Sequence, residues 1–189
     1  MKIDLNVLSD ERMVANFELE KYEYIINHVH KVNFSTDISF QTIFNGFYKI
    51  LRNETWRKHY YCLFEQAKER SLSFSDIITD LYNNTGNVEP SFSSKMYSTL
   101  NTDKPIWDKH VTNKLNLNLS GAGEEKVKNA IDIYEKIEKW YKTFLDTEEA
   151  KECILSFDRV LPEYTWISNT KKIDYLLWAS NKMETNKNL

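Results

Sequence analysis

Six side chains of this sequence could ligate a metal ion or act as nucleophiles: His28, His30, His59, His110, Cys62 and Cys153. His28 and His30 are two residues apart, a spacing that places them on nearly opposite faces of a helix. The two cysteines are far apart in sequence, and two thiols are too few for an iron–sulfur cluster. There is also no nucleophile-elbow motif and no phosphate-binding Walker loop. The sequence therefore predicts no metal site and no cofactor.

A more distinctive segment surrounds Asp108. This residue follows a turn at Pro105 and opens a predicted helix, with Lys114 one turn further on. An Asp at such a position commonly caps a helix, because its carboxylate accepts hydrogen bonds from the first free amides. Lys95 lies thirteen residues upstream in a second short predicted helix, where a solvated side chain is the ordinary expectation.

The pattern of Asp108, His110 and Val111 resembles the Asp-x-His-Val segment of the helix-hairpin-helix DNA glycosylases, and the resemblance spans about residues 85–131. In that superfamily the Asp works at a helix start that faces a flipped nucleotide. The resemblance implies that Asp108 stabilises positive charge on the sugar or acts as a general base. It implies that Lys95 is the covalent nucleophile if burial lowers its pKa. The implied partner is duplex DNA, bound either by an active enzyme or by a catalytically degenerate member.

A glycine-containing segment, residues 119–131, resembles the hairpin of the same superfamily. Glycines let the backbone approach a ligand closely, and free amides at a helix N-terminus bind a phosphate oxygen. The residues that the resemblance places at the DNA backbone are Gly121, Gly123, Lys109, Lys114, Lys126 and Lys128. Glu124 and Glu125 complement the helix dipole instead and suit an ordinary helix start. Residues 85–95 and 119–131 cannot both be the hairpin, and the sequence leaves both alternatives open.

Composition and periodicity indicate the elements that position these residues. The chain of 189 residues has 41% hydrophobic residues but only 4 Gly and 3 Pro, which disfavours turn-rich all-β folds. Apolar residues at helical spacing predict an all-α fold of about eight or nine helices, similar to the glycosylases if the resemblance holds. The spacing also places Leu51 on the apolar side of a helix with Phe44 and Tyr48. We expect one compact domain over residues 1–180 and a polar C-terminal tail over residues 181–189.

Two further helix signals are specific. Ser73 and Asp76 form a predicted capping box, and Gly86 is placed to end the helix that it begins. Residues 169–175 predict another helix start, which carries Lys171, Lys172 and Asp174. The sequence assigns no function to that start.

The net charge of −3 excludes a protein that coats nucleic acid through an overall basic surface. Residues 49–70 nevertheless contain six basic and three acidic residues, which is compatible with a local basic face. The sequence has no apolar run long enough to span a membrane and no signal peptide, so it predicts a cytoplasmic protein without membrane contact.

Two functions remain. The first is a DNA-binding protein with a glycosylase-like helical fold, which requires Asp108 and Lys95 in one basic cleft. The alternative is a non-enzymatic intracellular protein-interaction module, for example in a bacterial defence or regulatory system, with an unknown protein partner. The alternative predicts that Asp108 caps its own helix and that no cleft lies beside it.

Overall fold

The computed structural model describes the backbone of residues 3–187 and the side chains of residues 3–183. Over this range the protein is all-α, as predicted, and contains no β-strand. Two 3-10 helices span Leu5–Ser9 and Pro162–Tyr164. The α-helices are α1 (Glu11–Ala15), α2 (Leu19–His28), α3 (Ile38–Tyr48), α4 (Glu54–Arg70), α5 (Phe74–Thr85), α6 (Pro90–Leu100), α7 (Lys109–Lys114), α8 (Gly123–Leu145), α9 (Glu148–Val160) and α10 (Asn169–Lys187). The shortest of these ten α-helices in the described residues is α1, with five residues.

Side-chain caps begin several of these helices. The capping box of α5 is confirmed: the Ser73 hydroxyl accepts a hydrogen bond from the amide of Asp76, whose carboxylate accepts one from the amide of Ser73. Gly86 ends α5 in the left-handed conformation with φ of 70°, also as predicted. Short polar side chains and one glycine therefore fix both ends of this helix.

The described residues form two compact packing units, each built from separate stretches of chain. Unit 1 comprises residues 3–19, 102–118 and 134–187, and unit 2 comprises residues 20–101 and 119–133. The expected domain boundary at residue 180 falls inside α10, which continues to Lys187. Residues 188–189 of the expected tail lie outside the described residues.

Aromatic rings form the core of unit 2. Phe34 stacks on Phe64 with 4.1 Å between ring centroids, and Phe44 lies 5.2 Å from Phe64. Tyr60 is fully buried and stacks on Trp56 at 4.9 Å. This core holds α3 and α4 together and fixes the short connection between them.

In unit 1, α10 is the central helix. It contacts α7, α9 and the 3-10 helix Leu5–Ser9. Tyr175 of α10 lies 4.9 Å from Phe17 and 6.2 Å from Phe157, measured between ring centroids. The elements that surround Asp108 are therefore packed against α10.

None of the helices in the described part of the chain has the length and apolar character that a membrane crossing requires.

Candidate nucleic-acid interface

Residues 49–53, called here the Leu51 loop, connect α3 to α4 in unit 2. Lys49 adopts the left-handed conformation with φ of 54°, and its amide and that of Ile50 both donate to the carbonyl oxygen of Asn45. This geometry ends α3 at Tyr48. Ile50 turns into the core, whereas the side chain of Leu51 is 92% exposed. The prediction that Leu51 lies on the apolar side of the helix is wrong, because the helix ends three residues earlier.

Arg52, at the end of the Leu51 loop, is held on aromatic faces. Its guanidinium lies 5.8 Å from the ring centroid of Trp56 and 5.5 Å from that of Phe92. It also pairs with the carboxylate of Glu89, a residue that is itself buried. A planar guanidinium can stack on rings and bind a carboxylate at the same time, so the direction of the Arg52 side chain is fixed.

Lys95, the predicted nucleophile, lies on α6 in the same unit. Its ammonium donates to the carbonyl oxygen of Tyr48 at 3.2 Å and lies 5.0 Å from the ring centroid of Phe92. A carbonyl oxygen and an aromatic face are both suitable partners for a lysine side chain. The contacts of Lys95 suit an electrostatic role.

These residues form one basic–aromatic cluster beside the Leu51 loop: Tyr48, Arg52, Trp56, Glu89, Phe92 and Lys95. Tyr60 contacts the cluster through its hydroxyl, which donates a hydrogen bond to the carbonyl oxygen of Phe92 at 3.0 Å. Burial, followed by the neighbouring Tyr61 and Tyr48, raises the pKa of Tyr60 well above its ordinary value. Tyr60 therefore remains a neutral hydrogen-bond donor.

Asp108 lies in unit 1 and caps α7. Its Oδ1 accepts a hydrogen bond from the amide of His110 at 2.7 Å. The prediction that Asp108 opens a helix is confirmed, and the cap is the arrangement that the interaction-module alternative predicts. Lys95 belongs to unit 2 and Asp108 to unit 1.

Around Asp108, α8 and α10 supply further ionisable groups. Tyr141 donates a hydrogen bond to Oδ1 of Asp174, whose other oxygen, Oδ2, is buried and makes no hydrogen bond to the described side chains or backbone. Burial raises the pKa of Asp174 to about 6, against the lowering effects of Lys171, Tyr141 and the amide of Ile106. Burial lowers the pKa of Lys171, and the negative charges of Asp174 and Asp108 counteract this. Asp108 and Asp174 are thus two carboxylates whose negative charges raise the pKa of the buried Lys171.

The other predicted DNA-contacting residues divide between the two units. In unit 1, Lys109 is exposed, whereas the ammonium of Lys114 is buried and makes no hydrogen bond to the described residues. In unit 2, Lys128 and both glycines are exposed and Lys126 is half-buried.

The loop before α8 is folded back on its own helix. Asn129 donates to the carbonyl oxygen of Ser120 at 3.1 Å, and a Cβ at Gly121 would lie 3.1 Å from the Asn129 amide nitrogen and 3.3 Å from Glu125. Gly121 has φ of 90°, a conformation that glycine adopts without strain. A side chain at position 121 would therefore crowd Asn129 and Glu125 of α8.

A separate cavity of about 380 Å³ in unit 1 is lined by Ile3, Asp4, Leu5, Asn6, Glu149, Glu152 and Cys153. Burial raises the pKa of Cys153 to about 11, with smaller contributions from Glu149 and Glu152. The thiol is therefore protonated at neutral pH and is not a nucleophile.

The sequence interpretation missed Lys171, Asp174 and the exposed Leu51. The sequence contained a signal for Lys171 and Asp174. Lys171 and Lys172 lie in the first turn of α10, where positive charges oppose the helix dipole, and this indicates that other groups compensate their charge. Leu51 gave no comparable signal, because a left-handed lysine cannot be recognised from its residue type.

Among the described side chains, no three His, Cys, Asp or Glu residues are grouped closely enough to hold a metal ion. Comparison of the chain with protein-family models, with curated proteins and with solved structures finds no match. The function is therefore argued from the residues of the chain itself.

Proposed function

We propose that this protein binds duplex DNA, with the all-α fold of a glycosylase-like protein that is either active or catalytically degenerate. The observation that carries the proposal is the Leu51 loop. It presents an almost fully exposed leucine between two basic residues, Lys49 and Arg52.

A single exposed leucine is ordinary on a protein surface, but its setting here is specific. Residues 49–58 contain four basic residues, namely Lys49, Arg52, Arg57 and Lys58, and one acidic residue, Glu54. Proteins that distort DNA insert apolar side chains such as Leu between base steps while neighbouring cations contact the phosphates. The Leu51 loop combines both features in five residues.

The basic–aromatic cluster prepares the loop for this role. Arg52 is held by Glu89 and two aromatic rings, and Lys95 is held by the carbonyl oxygen of Tyr48, the residue directly before the loop. Side chains with fixed directions lose less conformational entropy on binding than freely moving ones. Both cations would contact phosphates on either side of the inserted leucine.

The role proposed for Asp108, stabilising positive charge at the DNA, follows from the resemblance to the glycosylases. A carboxylate at a helix start is suited to stabilise a positively charged sugar or base at an unpaired position. In this proposal Asp108 contributes to the preference for an abasic or unpaired site, and the Leu51 loop contributes to affinity for any duplex.

Fluorescence anisotropy tests the proposal with two duplexes, one undamaged and one with an abasic-site analogue. We expect the wild type to bind both, to prefer the abasic duplex, and to lose affinity as salt is raised. Leu51→Ala should weaken binding to both duplexes by about tenfold, because most of the apolar surface that an inserted leucine buries would be lost. Asp108→Asn, which keeps a capping side chain, should reduce only the preference for the abasic duplex.

Two surface positions of unit 2 provide matched controls. Ile38 is also an exposed aliphatic residue, so Ile38→Ala should leave binding unchanged. Lys49→Gln, which removes a cation beside Leu51, should weaken binding, whereas Lys31→Gln, which removes an exposed lysine outside the loop, should not. Absence of binding at low salt, or equal losses in Leu51→Ala and Ile38→Ala, would contradict the proposal.

One observation favours a second candidate, the protein-interaction module. Residues 155–166 of unit 1 expose three large apolar side chains, Leu155, Val160 and Trp166. An exposed Trp side chain is a typical anchor for a partner protein, and apolar residues around such an anchor help to exclude water. If the wild type binds neither duplex, we expect this surface to be the functional one. Sedimentation of the wild type against Trp166→Ala and Leu155→Ala tests the simplest such partner, a second copy of the chain.

A further inference from the structure

The cavity of about 380 Å³ in unit 1 lies between residues 3–6 and α9. The amide of Ile3 donates to Oε1 of Glu149 at 3.0 Å, and the amide of Asp4 donates to the hydroxyl of Ser180 of α10 at 3.2 Å. These hydrogen bonds join segments that are far apart in sequence, so the fold itself fixes the walls of the cavity. Small-molecule sites usually have volumes of about 300–1,000 Å³ and are largely formed before the ligand binds.

The cavity is acidic. Three of its seven lining residues carry carboxylates, namely Asp4, Glu149 and Glu152, and none of the seven is basic. The carboxylate of Glu152 makes no hydrogen bond or ion pair to the described residues, whereas that of Glu148 on the same helix pairs with Lys151 at 2.6 Å. A positively charged ligand would therefore gain electrostatic attraction in this cavity.

The carboxylates border an apolar part of the cavity, which Ile3, Leu5 and Cys153 line. Ile3 is 3% exposed and Cys153 is 1% exposed, and the free thiol makes no hydrogen bond to the described residues. After burial itself, the negative charges of Glu149 and Glu152 raise the pKa of this thiol, so both carboxylates act on the buried part of the cavity. Apolar surface beside carboxylates suits a ligand that combines methylene groups with a positive charge.

The distribution of the carboxylates distinguishes between kinds of cation. A divalent metal ion needs several oxygen ligands that converge on one point, and no such group of three exists among the described residues. Carboxylates that are spread over a wall instead suit an extended organic cation, whose charges are also separated.

We propose that this cavity binds an aliphatic diamine, with its methylene groups against Ile3 and Leu5 and one ammonium group at the carboxylate of Glu152. The site contains no residue of the Leu51 loop or of the basic–aromatic cluster. It therefore stands or falls separately from the DNA binding proposed above.

Isothermal titration calorimetry tests the proposal with three probes that share a five-carbon chain and differ in their end groups: 1,5-diaminopentane, 1,5-pentanediol and glutarate. The titrations use about 0.15 M salt, which screens attraction between distant charges. We expect the diamine to bind with a dissociation constant of about 1 mM or lower, and the diol and the dicarboxylate not to bind. In the same titration followed by NMR, the amide signals of Leu5 and Cys153 should shift, whereas that of the exposed Leu155 on α9 should not.

Two matched variants of α9 locate the charge that matters. Glu152→Gln keeps the size of the side chain and should weaken diamine binding by about fivefold or more, as for losing one charge-assisted contact. Glu148→Gln removes the same charge from the same helix outside the cavity and should leave the affinity unchanged.

No diamine binding at about 10 mM, or equal binding of the diamine and the diol, would overturn the proposal. Equal losses in Glu152→Gln and Glu148→Gln would also overturn it, because they would show a general attraction of cations to an acidic surface.

Discussion

At the scale of single residues, the environment of the Asp174 carboxylate differs from water, since its Oδ2 atom is buried. The pKa of Asp174 is about 6 in the folded protein, mainly because of burial, against an ordinary value of 3.8. The folded state therefore holds this proton more tightly than the unfolded chain does. The resulting stability is fully present below pH 3.8 and is lost as the pH rises through about 6.

We expect this loss to appear in the comparison of the wild type with Asp174→Asn. The variant should gain stability relative to the wild type as the pH rises from about 4 to about 7, by at most about 3 kcal/mol. Urea denaturation at several pH values measures the difference. A difference that is flat across this range would contradict the raised pKa of Asp174. Asp76 does not interfere, since hydrogen bonds from Ser73 lower its pKa and shift its titration below 3.8.

A second prediction at this scale concerns Arg52. Arg52→Lys retains the positive charge but loses the planar group that stacks on Trp56 and Phe92. We expect the substitution to reduce the free energy of unfolding by about 0.5–1 kcal/mol. Thermal denaturation measures it, with Arg70→Lys at the exposed end of α4 as the control. Equal, negligible shifts in both variants would show that the ring contacts of Arg52 contribute no stability.

At the scale of elements, the helix termini decide where side chains point. The capping box of α5 satisfies backbone amides that the helix itself leaves without partners. Ser73→Ala should therefore reduce the free energy of unfolding by about 1 kcal/mol, whereas Ser73→Thr should retain most of it. Denaturation by urea distinguishes the two. An unaffected Ser73→Ala protein would mean that water replaces the cap without cost.

Helix starts and ends set by residue type could be predicted from the sequence: Ser73, Asp76, Gly86 and Asp108 all lie where their side chains or flexibility are needed. The end of α3 could not, because Lys49 adopts a left-handed conformation that its residue type disfavours. That single residue turns Leu51 outward and defines the candidate interface. The cluster around Asp108 also escaped prediction, since its members come from three separate stretches of sequence.

At the scale of the whole molecule, a net charge of −3 limits how DNA binding can depend on salt. An overall acidic protein gains electrostatic affinity from its local cations, and the proposed phosphate contacts beside Leu51 are Lys49, Arg52 and Lys95. With about three phosphates neutralised, we expect the affinity to fall by about 40-fold between 50 and 200 mM salt. Lys49→Gln should lower the salt slope by about 0.9, measured by anisotropy across a salt series. A slope unchanged in this variant would place the phosphate contacts elsewhere.

The two units alternate along the sequence, and this order affects how the chain folds during translation. In unit 1 the amide of Ile3 bonds to Glu149 and that of Asp4 to Ser180, across 146 and 176 positions of sequence. Residues 20–101 of unit 2, in contrast, form one continuous stretch. During translation at about 5–20 residues per second, the first segment therefore waits many seconds for its partners. Until α9 and α10 have left the ribosome, Val7 and Phe17, which are buried in the folded protein, lack the surfaces against which they pack.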